Sequence, residues 1–178
     1  MEGTISLGIY DQSGKLVRVL HQNTQLDHFT IGADALVTRW DGKDDADQDL
    51  PAGQYHGRGY LVGRLKLEDL GQTSPPALVP DTNPVFKIRL IRNPLRKDKK
   101  PVVELGIGFN ANASYLKTID GLPLLTISET SNVSRVWIAT NNQNAVDVWQ
   151  DEGIKAHQFR ISNVDQMMAF DCGEFTLK

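Results

Sequence analysis

The chain has 178 residues, a formal net charge of −3 and a single cysteine. This weakly acidic balance gives no electrostatic reason to expect nucleic acid or an anionic membrane as a partner. No run of about eighteen apolar residues is present, so no segment is expected to insert into a membrane. One cysteine cannot form an internal disulfide, and the length suits two small domains, each with its own core.

The first predicted elements form a β-hairpin near the N-terminus. Apolar and small side chains alternate over residues 5–9 (ISLGI), which is the period of an extended strand. Residues 11–14 (DQSG) have the composition of a turn, and residues 15–20 return to an extended run. Two such runs around a turn predict two antiparallel strands.

The next predicted strand ends in a tryptophan that is followed by a turn. Trp40 closes the extended segment 35–40, and Asp41-Gly42 is a strong turn dipeptide, since glycine tolerates positive φ. A polar loop follows. Residues 50–53 (LPAG) then suit a type I turn, because proline presets φ at its second position. The next strand is expected to begin just after this turn.

These features resemble the FlgD-type immunoglobulin-like domain, the β-sandwich of the flagellar hook-capping protein, which also recurs in large secreted bacterial proteins. The resemblance rests on ISLGIYDQSGKLVRVL and TRWDGKDDADQDLPAGQY in the first third of the chain. It implies an immunoglobulin-like β-sandwich over residues 1–67. The sequence departs from the family at Asp47, where glycine is usual. The residues that carry the signature are Tyr10, Asp11, Gly14, Trp40, Asp41, Gly42, Pro51, Gly53 and Tyr55.

The composition changes after this region. Glycine, serine and proline are frequent over residues 68–84, and apolar residues show little periodicity there. Such a stretch is typical of a stiffened connector. The sequence therefore predicts a linker at 68–84 that joins the sandwich at 1–67 to a second β domain at 85–178.

The predicted second domain consists of short runs with the alternation of β-strands, separated by turns rich in Asn, Asp and Gly. No segment of about ten residues has helical periodicity. Two architectures fit: a second sandwich, or two four-stranded blades of a β-propeller, which would leave strand edges open to another chain. The runs are 86–91, 102–109, 115–119, 124–128, 136–140, 145–149, 157–161 and 167–177.

Metal, cofactor and catalytic motifs are not found in the sequence. The loop 41–49 has five aspartates, and oxygen ligands suit Ca²⁺. As an EF-hand from Asp45, however, it has Leu50 in place of glycine and His56 in place of glutamate, so a solvated turn is predicted. The histidines are scattered and lack a cysteine pair, which excludes a zinc signature. Cys172 lies in an apolar strand pattern and is expected to be a buried thiol.

Two features are candidates for ligand contact. Seven basic residues lie between positions 87 and 100, and they predict either attraction of a polyanion such as an acidic polysaccharide or an edge protected from strand pairing. Core burial is the expected fate of both later tryptophans, although together on the surface they would form a sugar-stacking platform. The candidate contacts are Arg92, Arg96, Lys97, Trp137 and Trp149.

We interpret the chain as a non-catalytic structural, adhesive or assembly module of a secreted bacterial protein. Its expected partner is protein, either a second copy or a domain of the parent chain, and polysaccharide is a further partner; open strand edges would favour oligomers. The alternatives are an accessory fragment of a secreted enzyme, a carbohydrate-binding protein and a hook-cap component. An enzyme would need titratable groups clustered in a cleft near Asp120, Asp147 or His157.

The interpretation places the protein in the extracellular or periplasmic space. Residues 1–10 (MEGTISLGIY) lack the basic segment and the apolar run of a signal peptide. Export is therefore expected only if the chain belongs to a longer secreted protein; otherwise the cytoplasm is the expected location.

Overall fold

The computed structural model describes residues 3–33, 35–74, 85–93, 99–130, 133–142, 144–151, 153 and 155–178. These residues form fourteen strands and two short 3₁₀ turns without an α-helix, which confirms the predicted all-β fold. None of them belongs to a helix long and apolar enough to span a bilayer. The strands are β1 (Thr4–Tyr10), β2 (Leu16–Gln25), β3 (Thr30–Ile31), β4 (Leu36–Val37), β5 (Gly53–Leu61), β6 (Lys66–Thr73), β7 (Phe86–Arg89), β8 (Val102–Phe109), β9 (Ser114–Thr118), β10 (Pro123–Ser128), β11 (Arg135–Asn142), β12 (Ala145–Asp151), β13 (Ala156–Ser162) and β14 (Met168–Leu177).

Three four-stranded antiparallel sheets make up most of the described chain. Sheet 1 has the order β14-β5-β1-β2, sheet 2 has β10-β9-β8-β7, and sheet 3 has β11-β12-β13-β6. The short strands β3 and β4 form a separate hairpin. The sandwich-like packing of antiparallel sheets agrees with the sequence, whereas the immunoglobulin-like assignment stays a prediction.

The main core lies where the three sheets meet. Val62 follows β5 of sheet 1, Leu105 comes from sheet 2, and Val148 and Ile161 come from sheet 3; all are buried in one cluster. Complete burial of such a side chain contributes about 1.5–3 kcal/mol. A smaller cluster of Ile5, Leu7 and Phe29 involves the N-terminal part of the chain.

Several of the N-terminal signature residues form the turn at Asp11 and an aromatic cluster. Asp11 Oδ1 accepts hydrogen bonds from the backbone N–H groups of Ser13 at 2.9 Å and Lys15 at 3.0 Å. The ring centroid of Trp40 is 5.1 Å from that of Tyr55, and the Tyr55 hydroxyl donates to the Pro51 carbonyl at 2.8 Å. Position 47 has a φ of 58°, a left-handed conformation that aspartate adopts more readily than most residues.

Two strands cross the boundary that the sequence predicts. β6 pairs with β13, and β14 pairs with β5 over its whole length. Residues 68–73 of the predicted linker 68–84 therefore belong to a strand, because their backbone groups pair with β13. Residues 75–84 lie outside the described part of the chain. The four predicted runs between residues 86 and 128 form sheet 2, in which strands adjacent in sequence pair with one another. In sheet 3, β11, β12 and β13 pair in the same way, but the fourth strand is β6 and not β14, which a second four-stranded blade would require.

Cys172 corrects one expectation. It is a free, exposed cysteine, although the sequence predicts a buried thiol. The strand β14 is an edge strand with an irregular register between Asp171 and Gly173. This irregularity breaks the simple alternation from which burial was inferred.

Candidate functional site

The outer face of sheet 3 is the strongest candidate for a binding surface, because two tryptophans stand side by side on it. Trp137 of β11 lies directly opposite Trp149 of β12. Side chains in such a pair share a face, with Cβ atoms about 5 Å apart. Gln158 of β13 lies opposite Trp149 on its other side. The row therefore continues from two aromatic rings to an amide.

This row faces away from the core. Ile138 and Val148, the sequence neighbours of the two tryptophans, are buried in the main core, and successive side chains of a strand alternate between faces. Both tryptophans are only partly buried, and neither belongs to a core cluster. The expected core burial of Trp137 and Trp149 is therefore wrong, because the apolar neighbours take the inner positions.

A second row on the same face carries charge. Arg160 donates from Nε to Asp147 Oδ1 at 2.7 Å and from Nη2 to Asp147 Oδ2 at 3.0 Å. Asn141 Nδ2 also donates to Asp147 Oδ2, at 2.8 Å. Burial acts to raise the pKa of Asp147, but the hydrogen bonds from Arg160 and Asn141 outweigh it, so the pKa lies below its ordinary value. An ionised carboxylate thus fixes the guanidinium in a bidentate geometry.

Arg135 completes this surface at one end. Its guanidinium carbon is 5.6 Å from the ring centroid of Trp137, within the range of a cation–π contact. Arg160 uses two of its five N–H donors on Asp147, so donors remain for a ligand. The surface combines flat apolar rings with amide and guanidinium donors. We call it the Trp face, and its residues are Arg135, Trp137, Asn141, Asp147, Trp149, Gln158 and Arg160.

A second, polar cleft surrounds Arg58 of β5. Two grooves of about 200 and 190 Å³ meet at this side chain. Its guanidinium carbon is 4.6 Å from the ring centroid of Tyr10, and Nη1 is 3.5 Å from Asp120 Oδ2. Across the same strand, His56 Nε2 is 3.0 Å from Asp171 Oδ1. The cleft therefore gathers charged groups that mostly pair with one another.

The buried tyrosine of this cleft is held in its neutral form. Burial, together with the negative charge of Asp120, raises the pKa of Tyr10 above its ordinary range. The Tyr10 hydroxyl is buried. No group among the described residues lies in the geometry needed for a hydrogen bond with it. A neutral phenol is a poor nucleophile. Of the three positions near which the sequence would place a catalytic cleft, Asp120 borders this one, Asp147 lies on the Trp face, and His157 of β13 contacts Asp69 of β6.

The predicted basic contacts do not join the tryptophans. Arg92 follows β7, an edge strand of sheet 2, and so lies outside the Trp face. Arg96 and Lys97 lie outside the described residues. Lys87, another member of the basic run, places its Nζ 2.7 Å from Glu104 Oε1. Ligand contact by Arg92, Arg96 and Lys97 stays a prediction.

Carboxylates of the loop 41–49 fix the loop itself. Asp44 Oδ1 accepts hydrogen bonds from the backbone N–H groups of Ala46 at 2.8 Å and Gln48 at 2.9 Å. Arg18 Nη1 lies 3.5 Å from Asp47 Oδ1. Among the residues that the structure describes, no three His, Cys, Asp or Glu side chains are placed to hold a metal ion.

Comparison of the chain with protein-family models, with curated proteins and with solved structures found no match. The Trp face therefore has to be interpreted from its own chemistry, and the FlgD-type resemblance stays a prediction.

Sequence reasoning identified the two tryptophans, and named Asp147 only in connection with a catalytic cleft, but it missed Gln158 and Arg160 beside them. Asp147 and Trp149 are two positions apart, as are Gln158 and Arg160, so the period of a strand already placed each pair on one face. The missing information was the register of β12 against β13, which puts Asp147 opposite Arg160. Register depends on tertiary packing and turn geometry and is not evident from either strand alone.

Proposed function

We propose that this chain is a non-catalytic adhesive module that binds polysaccharide through the Trp face. The observation that carries the proposal is the cross-strand pair of Trp137 and Trp149 on the outer face of sheet 3. Large aromatic side chains grouped outside the core mark a contact surface more often than scattered apolar residues do.

The chemistry of a sugar ring fits this surface. A pyranose has a face of C–H groups and a rim of hydroxyls, so it needs an apolar plane with hydrogen-bonding groups at its border. The tryptophan rings supply the plane. Gln158 and Arg160 supply donors beside it, and Asp147 holds Arg160 in position. Neighbouring strands lie about 4.8 Å apart, which is comparable to the width of one sugar ring.

The wider setting of the proposal comes from the sequence. The resemblance to the FlgD-type domain favours an accessory role in a secreted bacterial protein, and the extracellular or periplasmic space is where a polysaccharide ligand would be met. An enzyme is the rival function. The Arg58 cleft favours it, because Asp120, His56 and Asp171 lie around two adjoining grooves.

Native affinity electrophoresis is the direct test. The chain would be run through gels that contain hydroxyethyl cellulose, laminarin, xylan or polygalacturonate. We expect at least one of them to retard it. Trp149→Ala and Trp137→Ala should each weaken that retardation by about tenfold in Kd, the equivalent of about 1.4 kcal/mol. The matched control is Phe109→Ala, since Phe109 is an exposed aromatic residue (46 %) on sheet 2.

Two results would count against the proposal. One is the absence of retardation by all four polysaccharides. The other is an equal loss of binding in Phe109→Ala and Trp149→Ala, since a general change of the fold would then explain both. Circular dichroism of each variant separates loss of binding from loss of structure. Hydrolysis of any of these polysaccharides by the unmodified chain would favour the enzyme.

A further inference from the structure

We propose that the open edge of β14 is a docking site for an extended basic segment of another protein. The segment would pair with β14 as an additional strand of sheet 1 and place apolar side chains in the groove on the outer face of that sheet. This surface is distinct from the Trp face in position and in ligand class, and it goes beyond the proposed polysaccharide binding.

The first observation is the open edge itself. β14 is the last strand of sheet 1 and pairs only with β5 within the described chain. Near its start the free side is bordered by another segment, since the Ile91 N–H donates to the Met167 carbonyl at 3.0 Å. Asn93 and Lys99 line a groove together with Asp171. Among the residues that the structure describes, the free edge therefore extends over 172–177, and unpaired backbone groups are a template for another strand.

The second observation is an apolar groove that begins at this edge. It has a volume of about 370 Å³ and crosses the outer face of sheet 1. The ring centroids of Trp40 and Phe175, two of its lining residues, are 5.6 Å apart. Every second side chain of an added strand would face the groove side of the sheet. The lining residues on which this step depends are Leu7, Ile9, Leu20, Trp40, Phe175 and Leu177.

The third observation is an apolar hairpin beside the groove. Ile31, Leu36 and Val37 of the β3–β4 hairpin are 83 %, 42 % and 44 % exposed. Thr38, the next residue along the chain, lines the groove. A small ligand would fill the groove and leave this hairpin uncovered, whereas a protein segment that continues past the edge can contact both.

Charge decides what kind of segment fits. The loop 41–49 has five aspartates and one lysine. It adjoins the groove, because a Cβ placed on Gly42 would lie 2.9 Å from Leu177 Cδ1. Glu174 is exposed on the open edge and lies on the other face of sheet 1, beside His56 and Arg58. Arg18 offsets part of this charge through Asp45 and Asp47, but the rim stays negative. An added strand with apolar side chains in the groove turns its alternate side chains to the face that carries Glu174, and its end lies near the aspartate loop, so basic residues at those positions are complementary.

The probe for the test is an acetylated, fluorescently labelled peptide of alternating valine and lysine. Two control peptides are used: one with glutamate in place of lysine, and one with the same valines and lysines in separate blocks. We expect the alternating lysine peptide to bind at least about tenfold more tightly than either control in fluorescence anisotropy. It should also slow hydrogen exchange of the backbone amides at 172–177.

Variants of the chain test the charge and the groove separately. Glu174→Lys should weaken binding of the lysine peptide severalfold and strengthen binding of the glutamate peptide. The control is Glu129→Lys, which should change neither, because Glu129 is exposed just after β10 of sheet 2. Thr38→Trp should fill the groove and reduce binding about tenfold. Thr30→Trp is its matched control, since Thr30 is an exposed threonine of the same hairpin.

Three results would overturn the proposal. Equal affinity for the lysine and glutamate peptides would remove the charge argument. Protection from exchange outside residues 172–177 would place the peptide elsewhere. Protection of 172–177 that increases with protein concentration in the absence of peptide would show that a second copy of the chain occupies the edge.

Discussion

The strands β14 and β6 both pair across the predicted domain boundary, but they differ in what they bury. β14 joins β5, and this β14 seam brings Ala169 against the main core and Phe170 against the smaller cluster. β6 joins β13, and this β6 seam leaves Leu67 and Leu70 exposed. Antiparallel pairing therefore adds apolar side chains to the core at the β14 seam, whereas at the β6 seam it adds an edge strand whose leucines stay exposed.

Polar contacts do not explain the difference, because each seam has a histidine–aspartate pair across it. His56 Nε2 lies 3.0 Å from Asp171 Oδ1 at the β14 seam, and His157 Nε2 lies 2.5 Å from Asp69 Oδ1 at the β6 seam. Exposed pairs of this kind add little to stability because water screens the charges, whereas Ala169 and Phe170 of the β14 seam remove apolar surface from water. Burial, not charge, should decide which seam stabilises the molecule.

The largest effect is expected for Gly59→Ala at the β14 seam. A Cβ on Gly59 would lie 2.4 Å from Phe170 Cζ and 2.8 Å from the Ser6 carbonyl oxygen. The Phe170 ring of β14 fills this space and would have to be displaced, and the Ser6 oxygen of β1 adds to the crowding, so the free energy of unfolding in urea should fall by about 2 kcal/mol. The control is Gly106→Ala, which meets no atom within 4 Å. An equal loss in the control would show that the close packing of β14 is unimportant.

Acid should weaken the β6 seam. The hydrogen bond from His157, with that from the Gly71 N–H, lowers the pKa of Asp69 below its ordinary value of 3.8. A lowered carboxyl pKa in the folded state gives stability that is present above the unfolded pKa and is lost as the pH falls through the folded one. Hydrogen-exchange protection of β6 should therefore decrease below about pH 4.

Asp69→Asn is the control for this pH dependence. Asparagine cannot ionise, so the variant should lose less protection of β6 on acidification than the unmodified chain. If both lose the same amount over the same range, another carboxylate is responsible. Asp147 is the next candidate, because its pKa is also lowered and it lies in the same sheet.

The smallest effect is expected for Leu67→Lys on β6. Leu67 is 38 % exposed, and lysine on an edge strand is well tolerated. The free energy of unfolding should change by no more than about 0.5 kcal/mol. A loss above about 2 kcal/mol would mean that the β6 seam also buries apolar surface, and the contrast with the β14 seam would fail.

The sequence predicted the strands far better than their partners. Alternation is a local property, so the runs at 102–109 and 145–149 became β8 and β12 without further information. β6 was missed because apolar and polar residues alternate poorly in its sequence, KLEDLGQT. It becomes a strand because its backbone pairs with β13, which lies far along the chain. The Trp face also depends on non-local information. The sequence identified both tryptophans as candidates, but the placement of Arg160 beside Asp147 depends on the register between β12 and β13.

The pairing of β5 with β14 also has a consequence during synthesis. Residues 53–61 are made long before residues 168–177, so the nascent chain has β5 with one edge unpaired until the intervening residues 62–167 and β14 itself have been translated. Pairing between distant segments slows folding and lengthens the time for which apolar surface attracts other chains. Sheet 1 is therefore completed only once synthesis has passed β14, and chaperone demand should follow the time needed to deliver that strand.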